Sequence, residues 1–172
     1  MTENLDRDQI LVGYARARET FRRVTEGATT GYLGQRSRGT RWTNRQLLFH
    51  MVFGYLIVYT LRWIVRLGGL LPRWASRGFS ALLNLFTGPF NVANYVGSVI
   101  GGRVFTLARM ESTLEWTTRR LATRLATESD RTLARGMHFP PRWDPFFKDY
   151  LTLAELYRYP TQHFEFHADQ LS

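Results

Sequence analysis

The chain has 172 residues, a formal charge of +9, 44% hydrophobic and 15% aromatic side chains, and no cysteine. That length is ample for one domain, residues 1–172, with its own core, and a charged content of 22% excludes a mainly disordered chain. Without cysteine there is no thiolate zinc ribbon, iron–sulfur cluster, disulfide scaffold or cysteine nucleophile, so any metal must be held by histidine and carboxylate.

The N-terminus carries Glu3, Asp6 and Asp8 and no basic stretch followed by an apolar one. This predicts no secretory signal and a cytoplasmic protein. Ile10, Tyr14, Ala17, Phe21 and Val24 then recur at steps of four and three, which predicts a first amphipathic helix ending near Gly27. The connection over 31–40 is rich in Gly, Ser and Arg. It is followed by Thr43, an N-cap for a second helix that runs to about Leu67 and stops at Gly68-Gly69.

Two uncharged stretches, 47–61 and 78–102, raise the question of membrane spans. The first is shorter than the roughly 20 residues a bilayer needs. The second contains Asn84, Asn91 and Asn94 and the Gly88-Pro89 break, which suits a buried crossover. Residues 70–102 read as a long connection with short helical pieces, and an open apolar face there would allow a homodimer. A third helix begins near Arg103, carries Leu107, Met110, Leu114, Leu121 and Leu125 on one stripe, and fades around Ser129. After a loop holding His138, Pro140-Pro141 and Asp144-Pro145, Thr152 and Glu155 form a capping box for the last helix, which Pro160 kinks without ending. No strand pattern or internal repeat is present, so the class is all-α.

The inward stripe of the last helix reads Leu153, Leu156, Pro160, His163, His167 and Gln170; that of the second helix reads Leu47, His50, Gly54, Ile57, Leu61 and Ile64. Three imidazoles therefore occupy core positions, where each costs on the order of 1–3 kcal/mol without a partner. A divalent ion would supply that partner. His163 and His167 lie one turn apart, His50 comes from a facing helix, and three neutral imidazoles leave coordination open for water or substrate. Gly54, one turn after His50, leaves room in that wall. Gln170 is a candidate to orient a ligand, while His138, in the loop, reads as structural.

Trp42-Thr43 with Leu47-Leu48-x-His50, and Thr152-Leu153-x-Glu155-Leu156 followed by His163-x3-His167-x2-Gln170-Leu171, resemble the motifs of the DinB/YfiT-like superfamily of metalloenzymes. Tyr159 stands where many relatives carry another histidine. The resemblance implies a DinB-like four-helix bundle with long crossover connections, with His50, His163 and His167 binding a divalent ion, zinc or nickel foremost. It also implies low-molecular-weight thiol chemistry, such as mycothiol- or bacillithiol-dependent S-transfer or isomerisation of a small electrophile. Because the chain has no cysteine, the thiol would come from a bound cosubstrate; metal-dependent hydrolysis is the competing chemistry.

Phe49, Phe53, Tyr55, Phe86, Phe90 and Tyr95 are available to line an apolar pocket or to fill the core. Arg41 and Arg45 read as an exposed charged cap rather than an anion site. The basic segment 34–41 raises nucleic-acid binding as a non-catalytic alternative, but no helix-turn-helix, RNP or zinc-finger pattern supports it. A helical bundle that binds a partner without catalysis is the other.

Overall fold

The computed structural model describes residues 7–172; residues 1–6, including the Glu3 and Asp6 of the N-terminal reading, lie outside the described residues. Four long helices make the bundle: α1 (Arg7–Thr25), α3 (Asn44–Gly68), α6 (Leu107–Thr127) and α8 (Leu153–Ala168). Each packs on two others in a ring, α1 on α6 and α8, and α3 on the same two. Their apolar stripes supply the core. Ile10, Tyr14, Ala17 and Phe21 of α1 meet Met110, Leu114, Leu121 and Leu125 of α6, Leu47, Tyr55 and Val58 of α3, and Leu153, Leu156 and Phe164 of α8.

The predicted caps are present. The Thr43 side chain accepts the Gln46 amide while the Gln46 side chain accepts the Thr43 amide, and Thr152 and Glu155 make the same reciprocal pair at the start of α8. Pro160 lies inside α8 without ending it. The first helix ends two residues before Gly27, whose φ of 74° is the left-handed turn that glycine accepts cheaply.

Several expectations need correction. The crossover is more regular than a loop with short pieces, because it forms α4 (Arg73–Leu85) and α5 (Thr87–Val104). Arg103 therefore belongs to the last turn of α5, and the third long helix starts at Leu107 behind its own N-cap, Thr106. A short helix α2 (Thr30–Gly34) lies at the start of the Gly-rich connection, and another, α7 (Asp130–Leu133), follows α6. Two three-residue strands, β1 (Gly136–His138) and β2 (Tyr150–Thr152), pair antiparallel with Met137 opposite Leu151 and fix the base of the loop before α8. On α3 the inward stripe holds as far as Gly54. Ile57 and Leu61 are half-buried and Ile64 is exposed. By length and composition α3 would cross a bilayer, but more than half of its most apolar stretch is buried in the bundle.

Candidate metal centre

The seam between α3 and α8 sets the site. His50 lies in the second turn of α3, and His163 and His167 lie one turn apart near the end of α8; all three are buried. Their ring centroids are 4.6–4.8 Å apart, and one nitrogen from each lies within 4.8 Å of the others. Gly54 makes this approach possible. A Cβ there would stand 2.9 Å from Nδ1 of His163, so the glycine admits the imidazole, and it also lines the cavity beside the histidines.

Hydrogen bonds orient two of the rings. The Ser98 hydroxyl donates to the Asn94 carbonyl at 2.8 Å, so its oxygen accepts from Nδ1 of His50 at 3.1 Å. Gln170 Oε1 accepts from Nδ1 of His167 at 2.7 Å. Both arrangements place the proton on Nδ1 and leave Nε2 as a lone-pair donor, which is how the outer neighbours of metal-bound histidines act. Trp42 stacks on His50 with centroids 4.4 Å apart, walling off the solvent side.

His163 differs. Its Nδ1 is buried with no hydrogen-bond partner among the described residues, and its Nε2 is 3.7 Å from Oδ2 of Asp144, beyond hydrogen-bond reach. Burial and the neighbouring imidazoles hold His163 well below the usual histidine range. Burial, then the charge of His167, lowers His50 to about 3. Burial also lowers His167, against the opposing hydrogen bond that its ring donates to Gln170. Three imidazoles are thus neutral at physiological pH, close together and partly orphaned. This donor set suits a divalent metal ion.

Asp144 was not legible as a site residue from the sequence. The loop between the strands carries it to the open side of the histidines, where it is nearly buried. Its Oδ2 accepts the Tyr159 hydroxyl at 2.8 Å and its Oδ1 accepts the Phe146 amide at 2.9 Å. Burial outweighs these bonds and leaves the carboxyl above its usual range. A cavity of about 240 Å³ adjoins Asp144, His50 and His163, walled by Phe53, Ile57, Leu61, Phe90, Trp143 and Phe147 and lined by no Arg or Lys; His167 is not part of its lining. Of the expected aromatics, Phe53 and Phe90 line it, Phe49 and Tyr55 are core, and Phe86 and Tyr95 face outward.

The remaining candidates lie elsewhere. His138 sits in β1, buried, with Nδ1 3.1 Å from Asp149 Oδ2, apart from the three-histidine group. Arg41 is exposed, whereas Arg45 donates from its guanidinium to the carbonyls of Gly102 and Phe105, closing the C-terminal end of α5.

No protein-family profile and no curated protein matches the chain. Among solved structures, one described as "YfiT from Bacillus subtilis is a probable metal-dependent hydrolase with an unusual four-helix bundle topology" superposes on 99% of this chain and 86% of that chain, with a TM-score of 0.73 at 14% identity. The chain has that four-helix-bundle fold, as the sequence motifs implied.

Proposed function

We propose that this protein is a divalent-metal-dependent hydrolase of small, uncharged, apolar substrates, with His50, His163 and His167 as ligands. The observation that carries the reading is the convergence of three neutral imidazoles, two of which, His50 and His163, line an apolar cavity that also presents the Asp144 carboxylate beside His163. The hydrolase described for the structural neighbour favours hydrolysis over thiol transfer.

A divalent ion bound there would supply Lewis-acid polarisation of a carbonyl and acidify water. The chain's own groups do the rest. Ser98 and Gln170 hold His50 and His167 in the tautomer that offers Nε2. Tyr159 and the Phe146 amide fix Asp144 so that Oδ2 faces the histidines, positioned to orient a water or a polar substrate group. Phe90 and Trp143, stacked with centroids 4.1 Å apart, exclude bulk water from the cavity and offer flat apolar contact. Apart from the ion, no cationic side chain in the lining would pair with an anionic group, and the apolar walls favour neutral, apolar substrates.

The test is elemental analysis of untagged protein beside His50→Ala and His163→Ala, followed by turnover of a neutral aromatic ester with and without added thiol. About one divalent ion per chain, lost in both variants, with thiol-independent turnover, is the expected result. No ion after reloading, or turnover only with added thiol, overturns the reading.

A further inference from the structure

Helices α4 and α5 have inverted amphipathicity. In α4 the buried residues are Ser76 and Ser80, while Trp74 and Leu85 are each 78% exposed and Phe79 and Leu82 also face outward. In α5 only Ser98, Gly101 and Gly102 are buried, and Val92, Val96, Ile100 and Val104 are exposed. The residues leading into α4, Leu67, Leu70 and Leu71, are exposed as well. Single exposed apolar residues need no explanation, but apolar exposure sustained over three successive segments marks an interaction surface.

The charge pattern narrows the occupant. From Gly27 to Met110 the chain contains no Asp or Glu and ten arginines. Arg73 and Arg77 in α4 and Arg103 in α5 are exposed, and among the described residues none of them pairs with a carboxylate. A second copy of the same face would set arginine against arginine with no carboxylate to offset it, which costs affinity. Neither helix is suited to cross a bilayer: the 13 residues of α4 rise about 20 Å against a hydrocarbon core of roughly 30 Å, and among the described residues only α3 is both long and apolar enough to do so. A surface of anionic headgroups over acyl chains meets both features at once, since exposed Trp, Phe and Leu enter the interfacial layer and arginines reach the phosphates.

We propose that the α4–α5 face docks this protein on an anionic lipid surface, with the two helices lying in the plane of the interface. The inference is independent of the metal centre. The helices stay packed on α3 and β1 through their small and polar residues, and the outward apolar groups enter the lipid. Salt weakens the docking because the arginine contribution is electrostatic.

Sedimentation of the full-length protein with vesicles of phosphatidylcholine, alone or with one part in three phosphatidylglycerol, tests this. Binding is expected to depend on phosphatidylglycerol and to weaken with salt. The double substitution Trp74→Glu with Leu85→Glu should weaken it at least tenfold, as should Arg73→Gln with Arg77→Gln, given about 1 kcal/mol for each basic residue at such a surface. All four positions are exposed, so unchanged thermal melts of the variants separate lost docking from lost folding. Three results each overturn the proposal: no vesicle binding by the unsubstituted protein, binding indifferent to phosphatidylglycerol, or a stable dimer in solution that the Trp74→Glu, Leu85→Glu variant dissociates.

Discussion

Helices α8 and α5 are similar in length, 16 and 18 residues, and both pack on α3, yet they present opposite kinds of surface to it. α8 buries Leu153, Leu156, Tyr157 and Phe164 and brings two imidazoles with them. α5 buries Ser98, Gly101 and Gly102 and turns its valines and isoleucine away. The first is held by removal of large apolar area from water. The second docks by close backbone approach: a Cβ at Gly101 would overlap the Phe49 ring, and a Cβ at Gly102 would stand 2.8 Å from the Gln46 Cα. Arg45 then ties down its last carbonyls. One helix faces the core with its apolar stripe; the other keeps that stripe free.

The largest effect that would test this contrast is on α8. Leu156 is fully buried, so Leu156→Ala should cost roughly 2–5 kcal/mol in a chemical denaturation series, the range for a truncated core leucine. A cost near zero would mean that α8 is not held by its apolar face. The imidazoles on the same seam add a pH dependence. Their folded pKa values lie below the unfolded value of about 6.5, so their contribution is present above that pH and lost as pH falls toward the folded value, about 3 for His50. Metal-free protein should therefore lose stability steadily below about pH 6.5, and His50→Leu should flatten that profile.

The two regions meet at Ser98, the polar residue through which α5 reaches the histidines. Ser98→Ala leaves the donor set intact but frees the His50 ring. Metal affinity should fall about 10- to 100-fold, the range for lost outer-shell partners, and the metal-free protein should lose roughly 1–3 kcal/mol, the cost of leaving the buried Nδ1–H of His50 without a partner. An unchanged affinity would detach α5 from the site.

The same contrast explains what could be read from the chain alone. Helices α1, α3, α6 and α8 bury their apolar stripes, so their period of three and four residues located them, and the histidines stood out as polar residues on those stripes. In α4 and α5 the buried side is serine and glycine, so the pattern did not mark an inward face, and Gly88-Pro89 and three asparagines read as breaks. Ile64 was misread for a related reason: α3 stays packed to its end through Val58, Arg62, Val65 and Gly68, so beyond Gly54 the buried stripe lies on an adjoining face from the one that carries Ile57, Leu61 and Ile64. Asp144 reaches the site through a loop fixed by two three-residue strands, too short to show alternation. A carboxylate brought in by chain folding rather than by helical period has no local signature.

The smallest expected effect is the one that isolates α5. Ile100 is 54% exposed on its outer side, so Ile100→Ala should change folding stability by no more than about 0.5 kcal/mol, against several for Leu156→Ala. The comparison then turns on where the same residue does matter. In the presence of vesicles containing phosphatidylglycerol, the unsubstituted protein should gain a higher melting temperature by mass action, and Ile100→Ala should gain less of it. An exposed apolar side chain that is neutral for folding in buffer and measurable in lipid would separate the two surfaces of α5: one that holds the helix to the bundle, and one whose partner lies outside the chain. If Ile100→Ala instead costs as much in buffer as a core truncation, its outer face is already covered in solution, and the contrast with α8 fails at its weakest point.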